Sequence, residues 1–178
     1  MTPGVGADPG RDRDPAGRPR NSRPRDALGR PLPRGETGAE RVPEDLALPP
    51  PEALVLAQRL LDSARPFAAH EVLEASWKQS PQPERELWRG LAQVAVGLTH
   101  VQRGNARGAV ALLRRGAERV SGYTGTPPYG IDAAGVARAA AGLAAEIETA
   151  GATAAVSAQP RISLTRGFSP GAQITDGR

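Results

Sequence analysis

The sequence predicts an all-α protein, a compact bundle of about five helices between two disordered tails. Three observations carry this. Aromatics make up 3% of the 178 residues and cysteine is absent, so the core must be built from Leu, Val and Ala, a composition that favours helix over strand. Between residues 51 and 150, apolar residues recur at three- and four-residue steps, the period of a helix with one buried face. Pro, Arg, Gly and Asp dominate residues 1–50, where nothing repeats at a period of 2 or 3.6. Such a stretch cannot bury enough apolar surface to offset its ordering entropy. The expected organisation is therefore a disordered Pro/Arg/Gly-rich tail over 1–50, a helical domain over 51–150 and a disordered C-terminal tail over 151–178.

Within the helical domain, a first helix is expected from about Pro51 to Ala64, with proline suited to its start and Leu54, Ala57, Leu60, Leu61 and Ala64 as its apolar stripe. Pro66 restarts the chain as a second helix to about Gln79. Pro81 and Pro83 mark a break. A third helix spans about Glu84 to Arg103, with Gly104 as its C′ residue. Asn105 then caps a fourth helix, from Ala106 to about Ser121. After the loop GYTGTPPYG, Asp132 caps a fifth helix from Ala133 to about Ala150. Short connections imply antiparallel neighbours. The third helix should lie at the centre. Leu87, Leu91, Val94, Leu98 and Val101 form one apolar face, and no charged residue falls between Gly90 and Gln102 unless His100 is protonated. Gly90 and Gly97, seven apart, would let a neighbouring helix come close.

The net charge is +4, but residues 52–150 hold eleven Arg and Lys against ten Asp and Glu. Most of the basic excess lies outside the helical domain, which disfavours a dedicated nucleic-acid surface. Arg103, Arg107, Arg114, Arg115 and Arg119 could form a phosphate-binding strip, yet without interleaved aromatics they cannot stack bases. No apolar run approaches the ~20 residues of a membrane-spanning helix. Residues 1–20 carry no secretory core and include Asp8, Asp12 and Asp14, so a cytoplasmic protein is expected. There is no phosphate-binding glycine loop and no nucleophile elbow around Ser63, Ser76 or Ser80.

Chemistry concentrates on two stripes. On the second helix, Phe67, His70, Glu74 and Trp77 align, with Glu71 at the edge. On the third, Arg89, Gln93, Val96 and His100 lie opposite the Leu/Val face. A buried polar stripe needs partners, so the two stripes are expected to face each other as one cluster: His70, Glu71, Glu74, Trp77, Arg89, Gln93 and His100. Three readings compete. The cluster is a structural network with Arg89 on Glu71 or Glu74, Gln93 on a histidine and Trp77 closing it. Or it lines a ligand or partner pocket. Or it is a metal or acid–base site, with His70 and Glu74 at ligand spacing and His100 as a third ligand; both histidines are then spent, and neither HExxH nor the Glu-x-x-His of di-iron bundles is present.

The runs AHEVLEASW, ERELWRGLAQVAVGLTHVQRGNARGAVALLRRG and PPYGID, over residues 52–149, resemble the bacterial family called domain of unknown function 309. Its most specific mark, His-Glu-x-x-Glu-x-x-Trp, is matched by His70, Glu71, Glu74 and Trp77, and Gln93, His100, Gly104 and Asn105 also fit. The family typically has a glycine where Ala64 stands and a more acidic turn near Arg65 and Pro66. The resemblance implies a small helical protein with no established activity. Helices three and four also resemble a tetratricopeptide hairpin, with Gly97, His100, Gly104 and Ala109 at its small, aromatic, turn and small positions. That favours a scaffold, in which His100 fills a packing position.

Function is accordingly expected to be non-enzymatic: a binding or scaffold module with a protein partner or a second copy of itself, no cofactor and no membrane. The alternative is a metal-dependent or acid–base enzyme using His70, Glu71, Glu74 and His100. A third is weak nucleic-acid association through the basic tail. No residue is assigned a catalytic role.

Overall fold

The computed structural model describes residues 23–39, 42–43, 46–158 and 161–166, with side chains as far as Gly151 and again from Arg161. The rest of the two expected tails lies outside the described residues. The architecture is all-α, with five helices among the described residues: α1 Pro50–Asp62, α2 Pro66–Gln79, α3 Gln82–Gln102, α4 Ala106–Ser121 and α5 Ala133–Ala158. Each packs on its neighbour in the chain, and α3 also touches α5. None is long and apolar enough to cross a membrane.

Local chemistry sets the helix ends. Asn105 accepts from the Gly108 amide at 2.9 Å and Asp132 from Gly135 at 3.0 Å, each satisfying one of the amide groups that a helix start leaves unpaired. Gly104 takes φ +70, the left-handed turn that glycine adopts without strain. The expected break at Pro81 and Pro83 shrinks to Ser80–Pro81. Pro83 sits inside the first turn of α3, where its missing N–H costs no helical hydrogen bond.

The core is the face that α3 offers. Leu87, Leu91, Val94, Leu98 and Val101 are buried, together with Trp88. The glycine column works as its spacing predicts, against α4. A Cβ on Gly97 would stand 2.7 Å from the Leu113 side chain, and one on Gly90 would stand 2.8 Å from Val120. α4 answers with a glycine of its own. A Cβ on Gly116 would meet Val94 at 2.7 Å and the Gly90 carbonyl at 2.9 Å. The two backbones are therefore closer than any side chain would allow.

The expected tail boundaries shift. α5 breaks at Gly151, φ +81 and ψ 163, and the chain returns over 161–166. Ile162 and Leu164 are buried in the core. Asp132 donates its amide to the Leu164 carbonyl at 2.9 Å and Arg166 donates to Gly130 at 3.0 Å. Gln58 of α1, itself buried, donates to the Ile162 carbonyl at 3.2 Å and accepts from the Leu164 amide at 2.7 Å. At the other end, residues 23–39 form a knot of turns. The Leu32 amide bonds the Pro24 carbonyl at 2.8 Å, Gly29 bonds Asp26 at 2.8 Å and Ala39 bonds Arg25 at 2.7 Å. The folded unit thus takes in segments that lack helical periodicity and that the expected 51–150 limits leave out.

Candidate functional site

The seven candidate residues do not converge: six fall into three separate sets, and Glu71 lines a crevice at the start of α2. On α2, His70 Nε2 lies 3.3 Å from Glu74 Oε2, and Lys78 reaches the other carboxylate oxygen at 3.1 Å. His70 also stacks obliquely on Phe67, with ring centres 5.9 Å apart. Its Nδ1 is buried with no hydrogen-bond partner. A protonated ring would bury a second N–H with no acceptor. Burial holds the His70 pKa below its ordinary value, with Lys78 acting in the same direction and Glu74 opposing. The neutral ring, proton on Nε2 toward Glu74, follows from both observations.

The second set joins α2 to α3. The Arg89 guanidinium lies over Trp77, 5.5 Å from the ring centre, a cation–π contact. Its ionic partner is Glu86 at 3.4 Å on its own helix, not Glu71 or Glu74. Glu86 is shared. Arg119 of α4 donates to it at 2.8 Å and to Gln93 Oε1 at 3.0 Å. The Arg119 bond holds the Glu86 carboxyl below its ordinary value; burial opposes it, and Arg89 adds to the lowering.

The third set is His100 alone at the α3–α4 turn. Its Nδ1 accepts from Asn105 Nδ2 at 2.8 Å, and it crowds Gly108, where a Cβ would fall 2.6 Å from the same nitrogen. Burial, then the nearby Arg103 charge, lowers its pKa.

The expectation of two facing stripes is therefore corrected, and the reason is angular. At ~100° per residue, Gln93 stands about 60° and His100 about 80° round α3 from Gly90. Because the glycine column draws α4 in, the stripe borders α4 instead of facing α2. Only Arg89, farther round, reaches α2. The metal grouping of His70, Glu74 and His100 is likewise not formed. Among the described residues no set of three or more His, Cys, Asp or Glu could hold a metal ion. The arginine strip is divided too: Arg114 pairs with Glu148 at 2.6 Å, Arg119 with Glu86, and Arg103 turns to the N-terminal segment.

What gathers around the start of α2 is a different surface. Arg103 Nε donates to the Leu28 carbonyl at 2.9 Å, and its Nη2 bonds the same oxygen. Gly29 is buried at φ +74 against the Phe67 ring, where a Cβ would overlap the ring atoms. The Arg25 guanidinium lies over the same ring, 6.0 Å from the Phe67 centre, and donates to the Gly29 carbonyl at 2.6 Å. A crevice of about 10 Å³ remains, lined by Arg25, Asp26, Arg65, Phe67 and Glu71 among others, room for about one water. A larger hollow, about 400 Å³, runs along the outer face of α1 between Leu48 and Arg59 and holds none of the seven candidates. Sequence reasoning passed over Glu86, Gln58, Gly29 and Arg103 as partners. The Glu86–Arg89 spacing was the one available signal, since the other three bind segments distant in sequence.

These features define a helical-hairpin protein whose polar groups are parcelled into separate contacts and whose α2–α3 end grips a non-helical stretch of its own chain. The family model described as Domain of unknown function (DUF309) matches residues 54–112. That span takes in the His-Glu-x-x-Glu-x-x-Trp run, and over it the chain is similar to this family. A curated relative, "Uncharacterized protein YpuF" of Bacillus subtilis (strain 168), is 44% identical over 48 residues, which are 26% of this chain and 28% of the relative. The match thus spans little more than a quarter of the relative's length. No solved structure matches.

Proposed function

We propose that this chain is a non-enzymatic, cytoplasmic binding module, and that its recognition surface is the α2–α3 end formed by Phe67, His70, Glu71 and Arg103. The observation that carries the reading is the turn already seated there: Arg103 bonded to the Leu28 carbonyl and Gly29 packed on Phe67. A guanidinium aimed at a backbone carbonyl, beside an aromatic face that accepts only glycine, recognises a polypeptide turn rather than a small metabolite. The separation of His100 from the His70–Glu74 pair weakens the enzyme alternative. The tetratricopeptide-like likeness of α3 and α4 fits a peptide-binding scaffold: Gly97 and Ala109 are both buried at the helix crossing, and Gly104 makes the turn.

A binding surface must be able to open. The amides of Gly29, Leu32 and Ala39 should exchange with deuterium at least about 10-fold faster than those of Leu91 and Val94 in α3, a difference of ~1.4 kcal/mol in opening free energy. Equal protection of the two groups would make the arm an integral part of the core and end the reading.

A further inference from the structure

We propose that α1 pairs antiparallel with α1 of a second copy of the chain, through its outward stripe of Glu52, Val55, Leu56 and Arg59. This face is separate from the α2–α3 end, and the inference does not rest on the reading given for that end.

α1 has two faces. Ala53, Leu54, Ala57 and Gln58 are buried. At ~100° per residue, Glu52, Val55, Leu56 and Arg59 fall within an arc of about 100° on the opposite side. A stripe turned to water is ordinarily polar, but this one has two branched apolar residues at its middle. Val55 is 39% exposed, and among the described residues Tyr129 is the other large apolar side chain so placed. The four residues line the hollow of about 400 Å³ together with Leu48 and Pro51. Leu48 packs on the core, and the Leu46 carbonyl before it accepts from Gln79 at 2.9 Å, so that wall is held in place.

The order of the charges identifies the occupant. Glu52 and Arg59 stand about 10.5 Å apart along the helix axis, at opposite ends of the apolar pair. Neither side chain has an ionic partner among the described residues. A helix that answers both must bring an acid to Arg59 and a base to Glu52 at the same spacing, with apolar residues between them. Laid antiparallel, α1 is that helix. A two-fold axis passing between Val55 and Leu56 sets Glu52 opposite the partner's Arg59, Arg59 opposite the partner's Glu52, and Val55 against the partner's Leu56. A parallel pair would bring like charges together, so the charges fix the direction as well. Among the described residues no other α-helix carries an exposed large apolar side chain, so none offers the same stripe. Both halves of the contact are one surface, and the assembly closes at two copies. One helix from each side makes a small contact of the weak, reversible class.

Sedimentation velocity of the full-length chain, taken up to about 1 mM, the range of weak affinities, should show a monomer–dimer equilibrium. Glu52→Arg and Arg59→Glu, both at exposed positions, each turn two attractive pairs into two repulsive ones. Each should weaken the dimer at least about 10-fold. Mixed in equal amounts, the two variants should recover the affinity of the unmodified chain as a heterodimer, because one then supplies only bases to the stripe and the other only acids. Circular dichroism checks each variant for helicity. If a single variant loses it, the doubly exchanged chain, Glu52→Arg with Arg59→Glu, gives the same test, since it restores both attractions within a homodimer. A chain that remains monomeric over the whole range overturns the proposal and leaves the stripe to a helix of another protein. So does a dimer indifferent to both substitutions, which places the contact elsewhere. A mixture no tighter than either variant alone rules out the antiparallel register and overturns it too.

Discussion

Replacing Gln58 with alanine should detach the C-terminal return of the chain without unfolding the helices. The Gln58 side chain is 4% exposed, and its two polar atoms satisfy the Ile162 carbonyl and the Leu164 amide, both bonds buried. Removing it leaves two backbone groups unpaired, at ~1–3 kcal/mol each, or about 2–6 kcal/mol if the segment stays in place. The segment has another option. Burial of Ile162 and Leu164 holds it with ~1.5–3 kcal/mol per side chain, offset by ~1–2 kcal/mol of backbone entropy for each residue kept ordered. Its four hydrogen bonds, to Gln58, Asp132 and Gly130, add ~0.5–1.5 kcal/mol each, so gain and cost nearly cancel and the net docking energy is no more than a few kcal/mol. The protein takes the cheaper route, so the loss should be about 2–3 kcal/mol by urea denaturation followed at a helical circular dichroism band. Amide exchange should show how the loss arises. Leu164 and Asp132, whose amides pair across this junction, should lose protection while α3 keeps its own. Combining Gln58→Ala with Leu164→Ala should cost less than the sum of the two, since each releases the same segment. A loss under ~0.5 kcal/mol with Leu164 still protected would refute the idea that Gln58 is the clamp.

Two further outcomes follow from single positions. Ala64 is exposed and sits at φ +55, a conformation that costs an L-residue ~1–2 kcal/mol. Ala64→Gly should recover that, less ~0.4–1 kcal/mol of added unfolded-state entropy. The net gain is ~0.5–1 kcal/mol, read as a higher urea midpoint; a lower midpoint would contradict it. His70 and His100 are both held below the ordinary value of 6.5 by burial, so the unfolded chain takes up protons first as the pH falls. Their contribution is complete above about 6.5 and is lost as the pH drops through the folded-state values. Stability should fall between pH 7.5 and 5.5, and His70→Gln should flatten that fall; an unchanged slope would show that His70 does not titrate differently on folding.

The helical part of this fold is legible because it obeys one period. The caps at Asn105 and Asp132, the Leu87–Val101 face and the glycine column can each be read from residue spacing, and each is found where spacing puts it. The polar cluster was misread for a reason of the same kind. Spacing tells which residues of α3 share a stripe but not which neighbour they meet, and Gly90 and Gly97 decide that by admitting α4. Read as a direction and not merely as a gap, the glycine column would have placed Gln93 and His100 beside α4. The flanks were illegible for a different reason. Asp26 to Arg30 and Ile162 to Leu164 have no period at all, and their attachment depends on backbone groups that carry no sequence signature.

That last point bears on what the protein is for. Segments without periodicity cannot be recognised by ridges and grooves, so the helices hold them through side chains aimed at the backbone: Gln58, which both donates and accepts along an extended stretch, and Arg103, which places two donors on one carbonyl. Extended or turned peptide from any chain offers the same groups. Steric selection is then left to Phe67, which admits glycine and rejects a Cβ. Under the proposed binding-module reading, such a surface would divide the work, with backbone bonds giving affinity for a polypeptide turn and one aromatic face giving selectivity. Two residues of the His-Glu-x-x-Glu-x-x-Trp run border this seat or the hairpin that carries it: His70 stacks obliquely on Phe67, and Trp77 of α2 holds Arg89 of α3.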